Sequence, residues 1–267
     1  MKIQTTILSI LLTFTSLLYS TAQSTKEYNL VDEKGNKQGY WEKKYENGNV
    51  QYSGFFKDNN PIGNLKRFDK EGNLKVEMEY IENSKKVFTK FYYNGLILQA
   101  EGIFINQNKD SIWNYYSNKG ILINKVVYVN NLKHGTEKKF FKTGEIYEES
   151  EWKQDVNDGL TKRYFKNGKV SARIFYMNGI LDGEYNIYDI DENIIIQGQY
   201  ENNKREGKWI YYKQNGNIDS EINYINGIAD NQKKLDELEH QYIEQMEQNK
   251  GKFQDPSEEM YNSIPPR

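Results

Sequence analysis

The sequence has no cysteine, four prolines and two histidines among its 267 residues. Without cysteine it has no disulfide, thiol nucleophile or thiolate metal ligand, and no lipoprotein anchor of the bacterial kind. The histidines, His134 and His240, are too few for a zinc site, which takes three or four Cys, His or acidic ligands. One falls at a hairpin turn and the other in the C-terminal segment, and both read as solvated surface rather than as a catalytic base. Net charge is also missing: 36 basic against 38 acidic residues leave −2. That balance provides neither the basic stripe of a nucleic-acid binder nor a basic patch for an anionic lipid surface. No glycine-rich segment has the strand-to-helix context of a phosphate loop. Acidic pairs such as Glu148-Glu149 and Glu258-Glu259 read as wet surface. The sequence therefore predicts no catalytic residue, cofactor or metal, and a chain that is not an enzyme.

One apolar run stands out. Lys2 and the stretch Ile7 to Leu18, followed by Ser20-Thr21-Ala22, have the basic start, apolar core and small-residue cleavage site of a secretory signal. The run is shorter than the roughly 20 residues that span a bilayer. Residues 1–22 are thus expected to be a cleaved signal, and the mature protein to be periplasmic or secreted, with no integral membrane association.

What is abundant is tyrosine, with 22 copies, and it recurs at a fixed period. From Gly39 to Asp230 the chain divides into eight units of 24 residues, and such a period is the mark of a repeat architecture. Counting positions from Gly39, position 12 is aliphatic in all eight units, from Val50 and Leu74 to Ile218. Position 18 is aromatic in all eight, from Phe56 to Tyr224, and position 6 is aromatic in seven, from Phe68 to Tyr212. Positions 14 and 16 are mostly small or apolar and the odd positions between them mostly polar. That alternation describes a strand with one buried and one wet face.

Asn-Gly at Asn47-Gly48, Asn167-Gly168 and Asn215-Gly216, and again at Asn178-Gly179 and Asn226-Gly227, supplies turns for tight hairpins. An isolated hairpin is marginal in water. The expected fold is therefore all-β, an elongated, twisted antiparallel meander of eight hairpin repeats over 39–230. Residues 23–38 would form an N-terminal half-repeat cap. Residues 231–267 would form an amphipathic helix, with Leu235, Leu238, Tyr242, Ile243 and Met246 on one face, and an extended tail.

Units such as Gly207-Lys208-Trp209-Ile210-Tyr211-Tyr212, Asn215-Gly216 and Tyr224-Ile225-Asn226-Gly227 resemble MORN-repeat variants. These short hairpin repeats are common in bacteria and often called YwqK-family antitoxins. The opening Asp32-Glu33-Lys34-Gly35-Asn36-Lys37-Gln38-Gly39-Tyr40-Trp41 resembles exported members of that group. The resemblance implies an elongated sheet and carries no catalytic residues. Val87 in place of the leading glycine and Asp191-Glu192-Asn193 in place of the turn glycine mark two units as departures.

Three functions follow as expectations. A protein-interaction scaffold comes first, an antitoxin or immunity protein against a toxin second, and a cell-wall or carbohydrate-binding module third. Positions 6 and 18 are aromatic nearly everywhere and read as core. Positions 3 and 5 vary between units, so Trp41, Trp113, Trp209 and Tyr211 are the candidate ligand-facing aromatics, suited to ring stacking or cation–π contact.

Overall fold

The computed structural model describes residues 28–230 together with Glu237, His240, Gln241 and Glu244. The expected signal segment, most of the C-terminal helix and the tail lie outside the described residues. Within them the chain forms one open antiparallel sheet of 19 strands, from β1 (Leu30–Val31) to β19 (Ile228–Ala229). Each long strand is hydrogen-bonded to the strands before and after it in sequence, as in β2 (Lys37–Lys44), β3 (Val50–Lys57) and β4 (Asn60–Phe68). The short β12 (Val156–Asn157) is an interruption, and β11 (Ile146–Lys153) also pairs directly with β13 (Gly159–Tyr164).

Two turn types alternate, and they divide the labour differently from the expected tight hairpins. The loop inside each hairpin runs over five residues. In Asp69–Asn73 the Asp69 and Asn73 backbones close the loop at 2.9 Å, and the Gly72 N–H donates to the Asp69 carbonyl. In seven of the eight loops only the fourth residue has positive φ, as at Gly72 (+89°) and Gly168 (+82°), and in the loop 93–97 it is the third, Gly95 (+75°); Asn47 and Asn167 do not need it. The turn between hairpins is the tight one, with two successive residues at positive φ, as at Asp58-Asn59 (50° and 66°) and Asn202-Asn203 (50° and 65°). Asn, Asp and Gln fill it more often than glycine, because short polar side chains tolerate the left-handed region.

The glycine at position 1 lies inside a strand. At Gly183 (φ +125°) and its equivalents the chain takes up extra residues, so that Tyr176 pairs with Leu181 but Ile174 with Tyr185. This is a β-bulge, which locally increases twist. The third unit has no such bulge. Its strand β6 (Lys86–Tyr92) pairs with β5 (Leu74–Tyr80) in unbroken register from Val76↔Phe91 to Tyr80↔Val87. A β-branched valine suits extended backbone there.

Burial alternates along the strands. In β18 (Ile218–Ile225) Ser220, Ile222 and Tyr224 are buried, while Asp219, Glu221, Asn223 and Ile225 are exposed. The buried side chains share one face of the sheet, called here the inner face. Both ends of the array are closed by side chains that imitate a further strand. At the start, Asn29 Oδ1 accepts from the Glu42 N–H at 2.7 Å, and Asn29 Nδ2 donates to the Glu42 carbonyl at 3.0 Å. At the end, the Asp230 N–H donates to the Asn223 carbonyl at 2.9 Å and Asp230 Oδ1 accepts from Asn223 N at 3.4 Å. Satisfying edge groups in this way blunts edge-to-edge association.

Candidate binding surfaces

The tryptophans are packed, not presented. Trp113 is 0 % and Trp209 1 % exposed, so neither offers a face to a ligand, and Trp41 is partly buried with its Nε1 donating to the Leu30 carbonyl at 2.8 Å. Tyr211 packs against the Trp209–Ile222–Tyr224 cluster and stays partly accessible. Of the four aromatics singled out in sequence, Trp209 and Tyr211 lie together, whereas Trp41 and Trp113 belong to other units. Position 6 also reads differently in the structure. Tyr212 is partly exposed and its hydroxyl donates to Gln197 Oε1 at 3.2 Å, away from the buried Tyr224.

Position 3 varies in type yet is buried in six units, as Leu65, Thr89, Trp113, Glu137, Thr161 and Trp209. Its size is matched across the junction to position 16 of the preceding unit, eleven residues earlier. Each buried tryptophan lies flat over a glycine there. A Cβ added at Gly102 would come within 2.3 Å of Trp113 Cδ2, and one at Gly198 within 2.3 Å of Trp209 Cδ2. Leu65 sits in the same way over Gly54. An aromatic ring laid across a strand glycine covers backbone that would otherwise be wet.

Above each of these rings sits a cation from position 23. Lys37 Nζ lies 5.0 Å from the Trp41 ring and 4.9 Å from Phe56. Lys109 Nζ lies 4.9 Å from Trp113 and 5.3 Å from Tyr128. The Arg205 guanidinium lies 4.8 Å from Trp209 and 5.3 Å from Tyr224. The aromatic cages are thus filled by the chain's own cations, through a contact of about 0.5–2 kcal/mol. Burial pushes the Lys109 ammonium below its usual range. Burial works in the same sense at Arg205, but the surrounding Tyr211, Tyr200 and Tyr224 outweigh it and hold its pKa above the ordinary value. Sequence reasoning passed over these cations, though a Lys or Arg stands four residues before each position-3 tryptophan.

The fifth unit replaces this aromatic core by an ionic one. Glu137, 2 % exposed, accepts from Lys133 Nζ at 2.9 Å and Asn124 Nδ2 at 2.7 Å. Glu148 accepts from Lys139 Nζ at 2.8 Å and Arg163 Nε at 2.9 Å. Although burial opposes its charge, Lys139 and Arg163 hold the Glu148 carboxyl below its usual range. Both carboxylates are engaged at both oxygens, Glu148 by two cations and Glu137 by a cation and an amide, which suits structure rather than proton transfer. Among the described residues no three His, Asp or Glu side chains converge as metal ligands would.

The opposite, outer face carries two kinds of column. One is polar: Tyr92, Tyr116, Tyr164 and Tyr212 donate to Glu77, Glu101, Glu149 and Gln197, each fifteen residues earlier, at 2.6–3.2 Å. Where the earlier residue is Ser53 or Lys125, the aromatic is Phe68 or Phe140, which has no hydroxyl to place.

The other is apolar and exposed in two runs, one around Phe55 and one around Phe88, with Asn64 and Glu79 paired between them. Phe55 pairs with Tyr40 on one side and Ile62 on the other, and Phe88 pairs with Ile103, as Ile112 does with Val127. Phe55, Ile62, Phe88 and Ile112 are 40–46 % exposed. Phe88, Ile103 and Ile112 floor a shallow groove of about 400 Å³, with Asn64, Glu79 and Lys90 at its rim.

With this geometry in view, comparison with known families is specific. Five stretches match the MORN repeat variant. They are residues 37–58, 61–82, 133–154, 157–178 and 205–226. Each MORN-variant stretch is one hairpin of the sheet and begins at the position-23 residue, two before the bulge glycine that opened the units as read from sequence. The three unmatched units are the ones with a glycine replaced: Val87, Ser111 (φ +60°) and Glu192 (φ +70°). No curated protein matches the chain.

Proposed function

We propose that this chain is a non-enzymatic, exported repeat protein that serves as a protein-interaction scaffold and binds its partner on the outer face. The observation that carries the reading is the set of exposed apolar side chains Phe55, Ile62, Phe88 and Ile112, placed on one face by sheet register in two runs separated by Asn64 and Glu79. Sheets exposed on one side normally turn polar residues outward. A row of half-exposed large hydrophobics with a polar rim has the composition of an interaction surface. The glycan alternative draws less support, because the tryptophans that would stack on sugars are spent on packing over Gly102 and Gly198.

Affinity capture by the full chain and by a Phe55→Ser/Phe88→Ser variant tests the reading. One stoichiometric protein retained by the natural chain and lost with the variant is expected. A toxin as that protein would assign the immunity role. Retention on wall polysaccharide alone, equal for both chains, would overturn the proposal.

A further inference from the structure

Arg205, unlike Arg163 on the same inner face, has no acid beside it. Arg163 is paired with Glu148 at 2.9 Å, and on the outer face Arg173 with Glu184 at 2.9 Å. Arg205 instead donates from Nη1 to the Tyr224 hydroxyl at 2.8 Å, and the groups that act on its charge are Tyr211, Tyr200 and Tyr224. Among the described residues no carboxylate pairs with it. A guanidinium offers five N–H donors in a planar fork shaped for a carboxylate, and hydroxyl and ring contacts leave that fork incompletely used.

The residue also lies in a concave place. Arg205, Tyr185, Tyr200 and Tyr211 line a cleft of about 1210 Å³, and residues of the loops at 189–193 and 213–215 together with Gln241 of the C-terminal segment complete its lining. The cation is at the aromatic base, and the acids are at the mouth. Asp219 is engaged by Lys213 at 3.6 Å and Asp189 by the N–H groups of Asp191 and Asn193 at 2.9 Å. The Asp191 carboxylate is exposed and has no partner among the described residues. A cationic floor under an acidic mouth selects against polyanions. It suits an anion that brings a positive charge with it.

We infer that the Arg205 cleft binds the carboxylate of an acidic side chain in a peptide segment, with a neighbouring basic side chain reaching Asp191. This rests on the scaffold reading and adds a second, charge-selective contact on the opposite face of the sheet. The base is preorganised: Trp209 beneath and the tyrosine hydroxyls around it fix the guanidinium before a ligand arrives, which lowers the ordering cost of binding.

The test is an NMR titration of the full chain with acetyl-Lys-Glu-Lys-amide, read at the arginine side-chain N–H signals. Acetyl-Lys-Gln-Lys-amide, inorganic phosphate and galacturonate serve as comparisons. Charge-assisted hydrogen bonding predicts at least roughly tenfold tighter binding of the Glu peptide than of its Gln analogue. Arg205→Gln should abolish that preference, Arg205→Lys should keep part of it while retaining the cation over Trp209, and Asp191→Asn, on the exposed loop, should weaken the Glu peptide several-fold. Equal affinity for the two peptides would overturn the inference, as would a preference that survives Arg205→Gln. Tighter binding of phosphate or galacturonate than of the Glu peptide would also overturn it. Loss of partner capture with Phe55→Ser/Phe88→Ser but not with Arg205→Gln would separate the outer-face reading from this one.

Discussion

Replacing Gly102 by alanine puts the packing rule of the inner face to a quantitative test. The new methyl would sit 2.3 Å from Trp113 Cδ2 and 2.4 Å from Cε2, against an optimal carbon separation of about 3.5–4.0 Å. The indole must therefore move by more than about 1 Å. It has little room: Trp113 is 0 % exposed, its Nε1 donates to the Ile103 carbonyl at 3.1 Å, and Phe104 stands edge-on at 4.9 Å. Overpacking of this kind costs about 1–3 kcal/mol, and loss of the indole hydrogen bond adds about 1 kcal/mol.

The decisive comparison is Gly102→Ala in a Trp113→Thr background, since threonine occupies the same position at Thr89 and Thr161. There the methyl meets no ring, and alanine should be neutral or gain about 0.5 kcal/mol over a strand glycine. The cycle therefore predicts a coupling of about 2–4 kcal/mol. Urea unfolding followed by circular dichroism gives the energies. Hydrogen exchange should confine the loss to the strands around Gly102, because repeat arrays are coupled mainly to nearest neighbours. A Gly102→Ala cost below about 0.5 kcal/mol in the natural chain, or the same cost in both backgrounds, would refute the rule.

Other outcomes follow from single features. Glu192 holds φ +70° where six of the other units have glycine; Glu192→Gly should raise stability by about 0.5–1 kcal/mol, the left-handed strain outweighing the entropy gained by the unfolded chain, as a urea midpoint would show. Glu137→Ala strands Lys133 and Asn124 and should cost about 3 kcal/mol in the same assay. Burial and the Glu101 carboxylate push the Tyr116 hydroxyl up to about 12 from 10.0. Because the unfolded chain loses that proton first, stability should be intact below pH 10 and fall between pH 10 and about 12. Tyr116→Phe should flatten that slope in thermal melts taken across the range. Deleting one 24-residue unit should leave a cooperative fold, whereas deleting 12 residues should break the register.

Period, turn residues and strand alternation were enough to read an all-β hairpin meander from the sequence. The roles of the aromatics were harder, for a physical reason. Trp113 and Trp209 looked like ligand-facing residues because position 3 changes from unit to unit, whereas change there reflects fit to a neighbour. Trp113 needs Gly102 and Trp209 needs Gly198, and both pairs are eleven residues apart, on strands that meet only across a repeat junction. Constancy misled in the opposite direction. Position 12 is aliphatic in every unit and half-buried in the other seven, yet Ile218 is 51 % exposed, in the last hairpin, which has only the two-residue strand Ile228–Ala229 beyond it among the described residues. The tyrosine column of the outer face had a legible signal, the Glu or Gln fifteen residues before Tyr92, Tyr116, Tyr164 and Tyr212. The cations over the tryptophans had one too, at four residues. Only the register makes either spacing meaningful.

The exposed Phe55, Phe88 and Ile112 column is the feature on which the functional account stands. Hydroxyl-radical footprinting of the full chain, alone and with its captured protein partner, measures those three side chains directly. The account predicts that their oxidation falls in the complex while that of Ile228, exposed at the end of the array, is unchanged. Unaltered oxidation of all three in a stoichiometric complex would contradict it.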